Sequence, residues 1–176
     1  HGEVAVESLA WDGLRQVLYI GGHFNQINGV SVPSGLAMWN RTTGLRPFPG
    51  GGLGLTNKDG SISMGVATGL AFDVSARHLY VAGNFTRING FHCPGLAYFG
   101  VALGKWHCIV DDEHSFHTIS TLLYIQASHT LYVAGKTTKH SSWRDLNTSF
   151  EHTIARYSYK RYEIINGGGS EHSGGS

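Results

Sequence analysis

The chain has 176 residues, 41% of them hydrophobic, which is enough apolar material for a packed core and argues against disorder. Charged residues make up only 14% and the formal net charge is +1, so no electrostatic surplus draws the chain to nucleic acid or to an anionic membrane. No apolar run approaches the ~20 residues that span a bilayer, so no membrane insertion is expected, and the longest run, around Val17 to Gly22, has the length of a strand.

The chain begins at His1 with no charged leader behind it, which reads as a processed or truncated product of a longer protein. From Val4 to Trp11 the apolar residues partly alternate, the pattern of a half-buried strand. Asp12 and Gly13 turn the chain, and Val17 to Ile20 then forms a continuous apolar strand ended by Gly21-Gly22. Gly35 to Trp39 predicts a third strand, Asn40 to Gly44 a turn, and Leu45 to Phe48 a fourth strand.

The same order then begins again. Leu9-Ala-Trp-Asp12 aligns with Leu70-Ala-Phe-Asp73, Leu18-Tyr19 with Leu79-Tyr80, Phe24 with Phe85, Ile27-Asn28-Gly29 with Ile88-Asn89-Gly90, and Gly35-Leu36-Ala37 with Gly95-Leu96-Ala97. The second set of strands is expected at Val66 to Phe72, His78 to Val81, Gly95 to Phe99 and Lys105 to Val110. A third, more diverged copy keeps Leu131-Tyr-Val-Ala-Gly135, and Ile154-Ala155 and Tyr157 stand where Leu36-Ala37 and Trp39 stand. The units occupy 1–53, 62–112 and 115–169, the last with an insertion at 139–150, and 170–176 is a Gly/Ser-rich tail or linker.

Consecutive strands joined by small-residue turns make an antiparallel meander, and a four-stranded meander repeated about every fifty residues is the outline of a β-propeller blade. The expected fold class is all-β, with about three such blades belonging to a larger propeller or a stacked assembly. Three blades do not close a ring, since propellers use about four to eight, and both outer sheets would show apolar faces to water. Gly21-Gly22, Ala82-Gly83 and Ala134-Gly135 recur after each second strand and are expected to permit close backbone approach near a central axis. Recurrent Asp12 and Asp73 fit a turn role, each carboxylate accepting from the amides that follow. Trp11, Tyr19, Trp39, Tyr80, Phe99, Trp106 and Tyr132 fall at repeated strand positions and read as packing between blades.

The string Leu-Tyr-Ile-Gly-Gly-His-Phe-Asn-Gln-Ile-Asn-Gly from Leu18 to Gly29, with its copy from Leu79 to Gly90, resembles the kelch-like and delta-60 repeats of β-propellers, similar to those in fungal cortical cell-polarity marker proteins. Phe99 and Trp106 match the aromatic spacing of kelch blades, whereas the first repeat keeps Trp39 but has Arg46 at the second position. The resemblance runs from about Val4 to Gly169. It implies a surface or extracellular module and carries over no catalytic motif.

The remaining chemical signals are few. Asn40, Asn84 and Asn147 each head an Asn-x-Ser/Thr sequon and are the N-glycosylation candidates of a secretory protein. Cys93 and Cys108 flank the 95–110 hairpin, whose folding brings them to one end of a ladder, and a disulfide is expected between them, the alternative being two buried thiols. His114 and His117 have a spacing that suits one metal ion but lack a matching Cys or carboxylate set, so the eleven histidines read as scattered surface residues. Asp111-Asp112-Glu113 reads as a solvated turn, or as oxygen ligands for calcium. Trp143 and Arg144 lie in the unrepeated insertion and are the candidates for touching a ligand, the alternative being a loop folded onto its own blade.

These readings converge on a secreted or cell-surface scaffold that engages extracellular protein or glycan and packs against further blades of its own chain or other copies of itself. No catalytic residue, cofactor or metal is assigned. The competing reading is a fragment of a secreted propeller enzyme, oxidase-like or glycan-active, whose active site lies outside or at the end of these units.

Overall fold

The computed structural model describes residues 5–109, 116–138, 150–158 and 161–165; most of the insertion and the whole of the tail lie outside them. Among the described residues the regular elements are β-strands and one short 3₁₀ turn at Gln126–Ser128. None of them is a helix long and apolar enough to cross a membrane.

In chain order the strands are β1 (Ala5–Asp12), β2 (Val17–His23), β3 (Gln26–Ile27), β4 (Val30–Ser31), β5 (Leu36–Asn40) and β6 (Gly44–Pro47). A connecting hairpin of β7 (Leu53–Thr56) and β8 (Ile62–Met64) follows. Next come β9 (Val66–Asp73), β10 (His78–Asn84), β11 (Arg87–Ile88), β12 (Phe91–His92), β13 (Leu96–Gly100) and β14 (Lys105–Cys108). The last four are β15 (Phe116–Ile125), β16 (Thr130–Thr138), β17 (Phe150–Ser158) and β18 (Arg161–Ile165). They form three four-stranded antiparallel meanders, β1-β2-β5-β6, β9-β10-β13-β14 and β15-β16-β17-β18.

Equivalence of the three sheets extends to register. Leu18, Leu79 and Leu131 pair with Trp11, Phe72 and Tyr124 on one side, and with Trp39, Phe99 and Tyr157 on the other. The first strand of each sheet carries the same irregularity, one extra residue at Glu7, Thr68 or Ser120. Opposite each bulge stands Gly22, Gly83 or Gly135, where a Cβ would overlap the carbonyl oxygen of Ala5, Val66 or Thr118. This corrects the reading of the doublets as axial approaches between blades: the second glycine makes room for a bulge inside its own sheet. The first glycine of the leading doublet, Gly21, does face a neighbouring sheet, against Ala67 and Leu70.

Small hairpins hang from the end of β2 and of β10. At their tips Asn28 and Gly29 have φ of 48° and 80°, and Asn89 and Gly90 have φ of 48° and 83°, the two consecutive left-handed residues of a tight hairpin turn for which Asn-Gly is the preferred pair. The connecting hairpin at 53–64, which falls between the repeats and shows no clear strand signal, pairs through β7 with β11 and completes a satellite sheet ordered β12-β11-β7-β8.

The second sheet is packed on both faces. Toward the first sheet, Leu79 and Val81 are fully buried, Phe72 stacks on Tyr19 at 5.7 Å, and Phe99 meets Phe48 edge-on at 4.9 Å. Trp106 packs on the same two phenylalanines and donates its Nε1 hydrogen to the Gly50 carbonyl at 2.7 Å. Toward the third sheet, Tyr80, Ala82 and Leu96 form a core with Leu131, Val133 and Ala155. Hydrogen bonds tie neighbouring first strands together: the Leu70 amide donates to Ser8 Oγ at 2.9 Å, and the Thr68 hydroxyl to the Ile119 carbonyl.

Burial differs where a neighbour is missing. Leu70, Phe72 and Phe99 are 6%, 7% and 4% exposed, whereas their equivalents in the first sheet, Leu9, Trp11 and Trp39, are 55%, 46% and 38% exposed. Trp11 and Trp39 therefore do not pack between sheets as their repeat positions led us to expect: among the described residues no further sheet covers them, although the hairpin of β3 and β4 packs over Ile20 and Ala37 on the same face. On the opposite end Ile154 is exposed where its counterparts Leu36 and Leu96 are buried.

Candidate functional site

Each sheet-to-sheet joint opens at one end into a cleft bordered by the turn between the first two strands. Two of these clefts stand at equivalent places, and comparing them isolates what is special about the second.

The first, of about 500 Å³, is lined by Val17, Tyr19, Met38 and Phe99, with Arg15 at its edge. Asp12 caps the adjoining turn, its Oδ1 accepting from the Leu14 and Arg15 amides at 3.1 and 3.2 Å. Its Oδ2 faces Arg77 of the next sheet at 3.8 Å, too long for a hydrogen bond, and neither that oxygen nor Arg77 Nη2 has a hydrogen-bond partner among the described residues.

The second cleft, about 200 Å³, is lined by Asp73, His78, Tyr80, Tyr98, Tyr124, His129 and Tyr157, with Ser75 and Ala76 beside them. Asp73 occupies the place of Asp12. Its Oδ1 accepts from the Ser75 amide and hydroxyl at 2.9 and 2.7 Å and from the Ala76 amide at 3.2 Å, and its Oδ2 accepts from the Tyr124 hydroxyl of the third sheet at 2.6 Å. The turn role expected of the repeated aspartates thus comes with a second one, a polar clasp onto the following sheet. His129 Nδ1 lies 3.3 Å from both Ser75 Oγ and the Tyr124 hydroxyl. Gln126 adds two more links, donating to the Phe72 carbonyl at 2.6 Å and accepting from the Val74 amide at 3.3 Å.

Two aromatic stacks wall this cleft. Tyr80 lies over Tyr124 at 5.3 Å, as Tyr19 lies over Phe72 in the first joint. Tyr98 is sandwiched between His78 at 4.3 Å and His107 at 4.7 Å. His78 is accordingly a packed side chain and not one of the scattered surface histidines that the sequence led us to expect.

The surroundings favour the uncharged forms of Tyr80, Tyr98, Tyr124 and His78 and the charged form of Asp73. Burial raises the Tyr80, Tyr98 and Tyr124 hydroxyls above the ordinary tyrosine range, and the bond to Asp73 raises Tyr124 further. Burial would raise Asp73, but the bonds from Tyr124, Ser75 and Ala76 outweigh it and hold the carboxyl below its usual value. Burial lowers His78, with His107 adding to the effect and Asp73 opposing it. A histidine whose folded pKa is depressed binds fewer protons folded than unfolded near its ordinary value of ~6.5, so its contribution to stability is present above that value and lost as pH falls through the folded pKa. Thermal midpoints measured between about pH 7.5 and about pH 5 should fall more steeply for the wild type than for His78→Val; equal slopes would show that His78 is not perturbed.

Both oxygens of Asp73 are thus committed to hydrogen bonds, and His129 Nδ1 shares the Ser75 and Tyr124 hydroxyls. The chemistry of the cleft is that of a binding site: aromatic faces, hydroxyls and imidazoles. Among the described residues no group of three or more His, Cys, Asp or Glu side chains is placed to hold a metal ion.

The residues singled out from sequence lie elsewhere. Asn40 sits at the end of β5, its Nδ2 donating to the Arg15 and Gln16 carbonyls at 3.2 and 2.8 Å and its Oδ1 accepting from the Thr42 amide at 2.8 Å. Asn84 is exposed at the end of β10. Cys93 and Cys108 form a disulfide with Cα atoms 5.6 Å apart, fastening edge strand β14 to the loop after β12; β14 also carries His107. Asn147, Trp143, Arg144, His114 and the acidic run at 111–113 lie outside the described residues.

Sequence reasoning missed His78, Tyr98, Tyr124, His129 and Tyr157 as one group. The available signal was a set of departures from the repeat: these positions answer to Val17, Met38, Phe72, Arg77 and Phe99. No protein-family model and no curated protein sequence matches the chain.

Proposed function

We propose that the chain is a run of propeller blades from an extracellular glycoprotein, serving as a scaffold that binds protein or glycan and does not itself catalyse a reaction. The observation that carries this reading is the recurrence of one joint: the same two faces of the meander meet between the first and second sheets and again between the second and third. Blades stacked around an axis use such a joint repeatedly.

Further support comes from the ends and from the covalent chemistry. The exposed Leu9, Trp11 and Trp39 sit where the second sheet is covered by the first, so their natural cover is another sheet of the same kind, from a longer chain or from a second copy. The Cys93–Cys108 pair and the exposed Asn84 sequon are compatible with passage through an oxidising, glycosylating compartment. The Asn40 amide is bound to backbone, so a glycan there would leave it one hydrogen with which to keep one of its two bonds.

Secretion from eukaryotic cells tests the assignment. Intact mass should fall on enzymatic removal of N-glycans, and thiol titration without reductant should find no free cysteine. Three unmodified sequon asparagines together with two free thiols would overturn the secretory reading.

A further inference from the structure

We infer that the cleft between the second and third sheets binds one neutral sugar ring, as a monosaccharide or as the terminal unit of a glycan. This deepens the glycan-partner half of the reading above, and rests on that half.

The first cleft supplies the control that a single site would lack. It shows that a joint of this geometry is adequately built from Val17, Met38, Phe72, Arg77 and Phe99. In the second cleft every one of these is replaced by a side chain with a hydrogen-bonding tip on an aromatic ring: His78, Tyr98, Tyr124, His129 and Tyr157. Partly burying polar atoms at a joint is costly unless something bonds them. Tyr124 and His129 find such bonds around Asp73, but the backbone geometry does not require the other three substitutions.

What the cleft offers selects the ligand. A pyranose has flat C–H faces that lie against aromatic rings and an equatorial rim of hydroxyls that both donate and accept. Tyrosine hydroxyls and neutral imidazoles do both as well. The volume of about 200 Å³ is below the ~300 Å³ at which drug-sized pockets begin, which limits the occupant to about one ring. Charge is not demanded: Asp73 is saturated by four hydrogen bonds, so a cation finds no open carboxylate, and neither lysine nor arginine is among the residues lining the cleft.

The test is a titration followed by NMR of the His78 and His129 ring protons. The probes are the methyl glycosides of glucose, galactose and mannose, and N-acetylglucosamine. At least one should give saturable shifts with a dissociation constant on the order of 1 mM. Two variants copy the first cleft and so preserve packing: His78→Val/Tyr98→Met, and Tyr157→Phe. The double variant should lose binding at least tenfold, followed through His129, while keeping its circular dichroism; should it fail to fold, Tyr157→Phe provides the same comparison. Tighter binding of an oligosaccharide ending in the same sugar would identify a glycan terminus, and equal binding a free monosaccharide. No saturable shift with any probe, or affinity unchanged in the folded variants, overturns the assignment. Glycosylation and thiol state are measured separately, so failure here would leave the scaffold reading standing.

Discussion

Replacing Gly83 by alanine is expected to destabilise the protein by about 3 kcal/mol or more, the range in which a substitution forces backbone to move. Gly83 faces the two-residue step at Ala67 and Gly69 that skips Thr68, and an added methyl group would overlap the Val66 carbonyl oxygen, which belongs to the ladder of the same sheet. Relief requires β9 to give up either its bulge or its pairing with β10. The same outcome is expected for Gly22→Ala and Gly135→Ala, because each meets the equivalent carbonyl. Gly100→Ala is the control: its added methyl would meet only the Lys105 carbonyl oxygen at 3.7 Å, an ordinary contact, and should change stability by no more than about 0.5 kcal/mol. Equilibrium unfolding in urea distinguishes the cases, and similar midpoints for Gly83→Ala and Gly100→Ala would refute the structural role given to the bulge.

Asp73→Ala should cost about 3 kcal/mol, more than Asp12→Ala, although both aspartates stand at the same repeat position and are almost wholly buried. Removing Asp12 orphans two turn amides and the distant Arg77. Removing Asp73 orphans two amides and takes the short bonds from the Ser75 and Tyr124 hydroxyls, leaving both to share His129 Nδ1 at 3.3 Å, and so loosens the third sheet from the second. The acid limb of stability follows with a definite sign. Asp73 is held below the ordinary carboxylate pKa of ~3.9, so its contribution is complete above that value and disappears as pH falls through the lower folded value. Denaturant unfolding of the two alanine variants at neutral pH provides the check; equal losses would mean that the clasp to Tyr124 contributes nothing.

The fold was legible where local pattern and burial coincide. The Leu-Tyr strand followed by glycine appears three times because it is an inner strand of each sheet, paired on both sides, and in the second sheet it is also buried on both faces. Asn28-Gly29 and Asn89-Gly90 stood out in the sequence only as a repeated string, and the structure makes them the left-handed tips of the two small hairpins. The connecting hairpin at 53–64 was not legible, since β7 takes its partner β11 from beyond β8, β9 and β10 and has little alternation of its own. The glycines were misread in detail because one residue type serves turns, bulges and close approaches alike. The cleft escaped for a different reason: its members come from four separated stretches of chain, 73–80, 98, 124–129 and 157, and the departures they represent acquire meaning only when the two joints are laid over each other in space.

The uncovered surfaces at the two ends are unlike one another, with indole rings at Trp11 and Trp39 on one side and the branched aliphatic Leu123, Ile125 and Ile154 on the other. The body therefore has a front and a back. Repeating at these ends the joint seen between the sheets would bring unlike faces together, head to tail. A succession of such unions either comes round on itself or continues as a fibre, and the angle between successive sheets decides which.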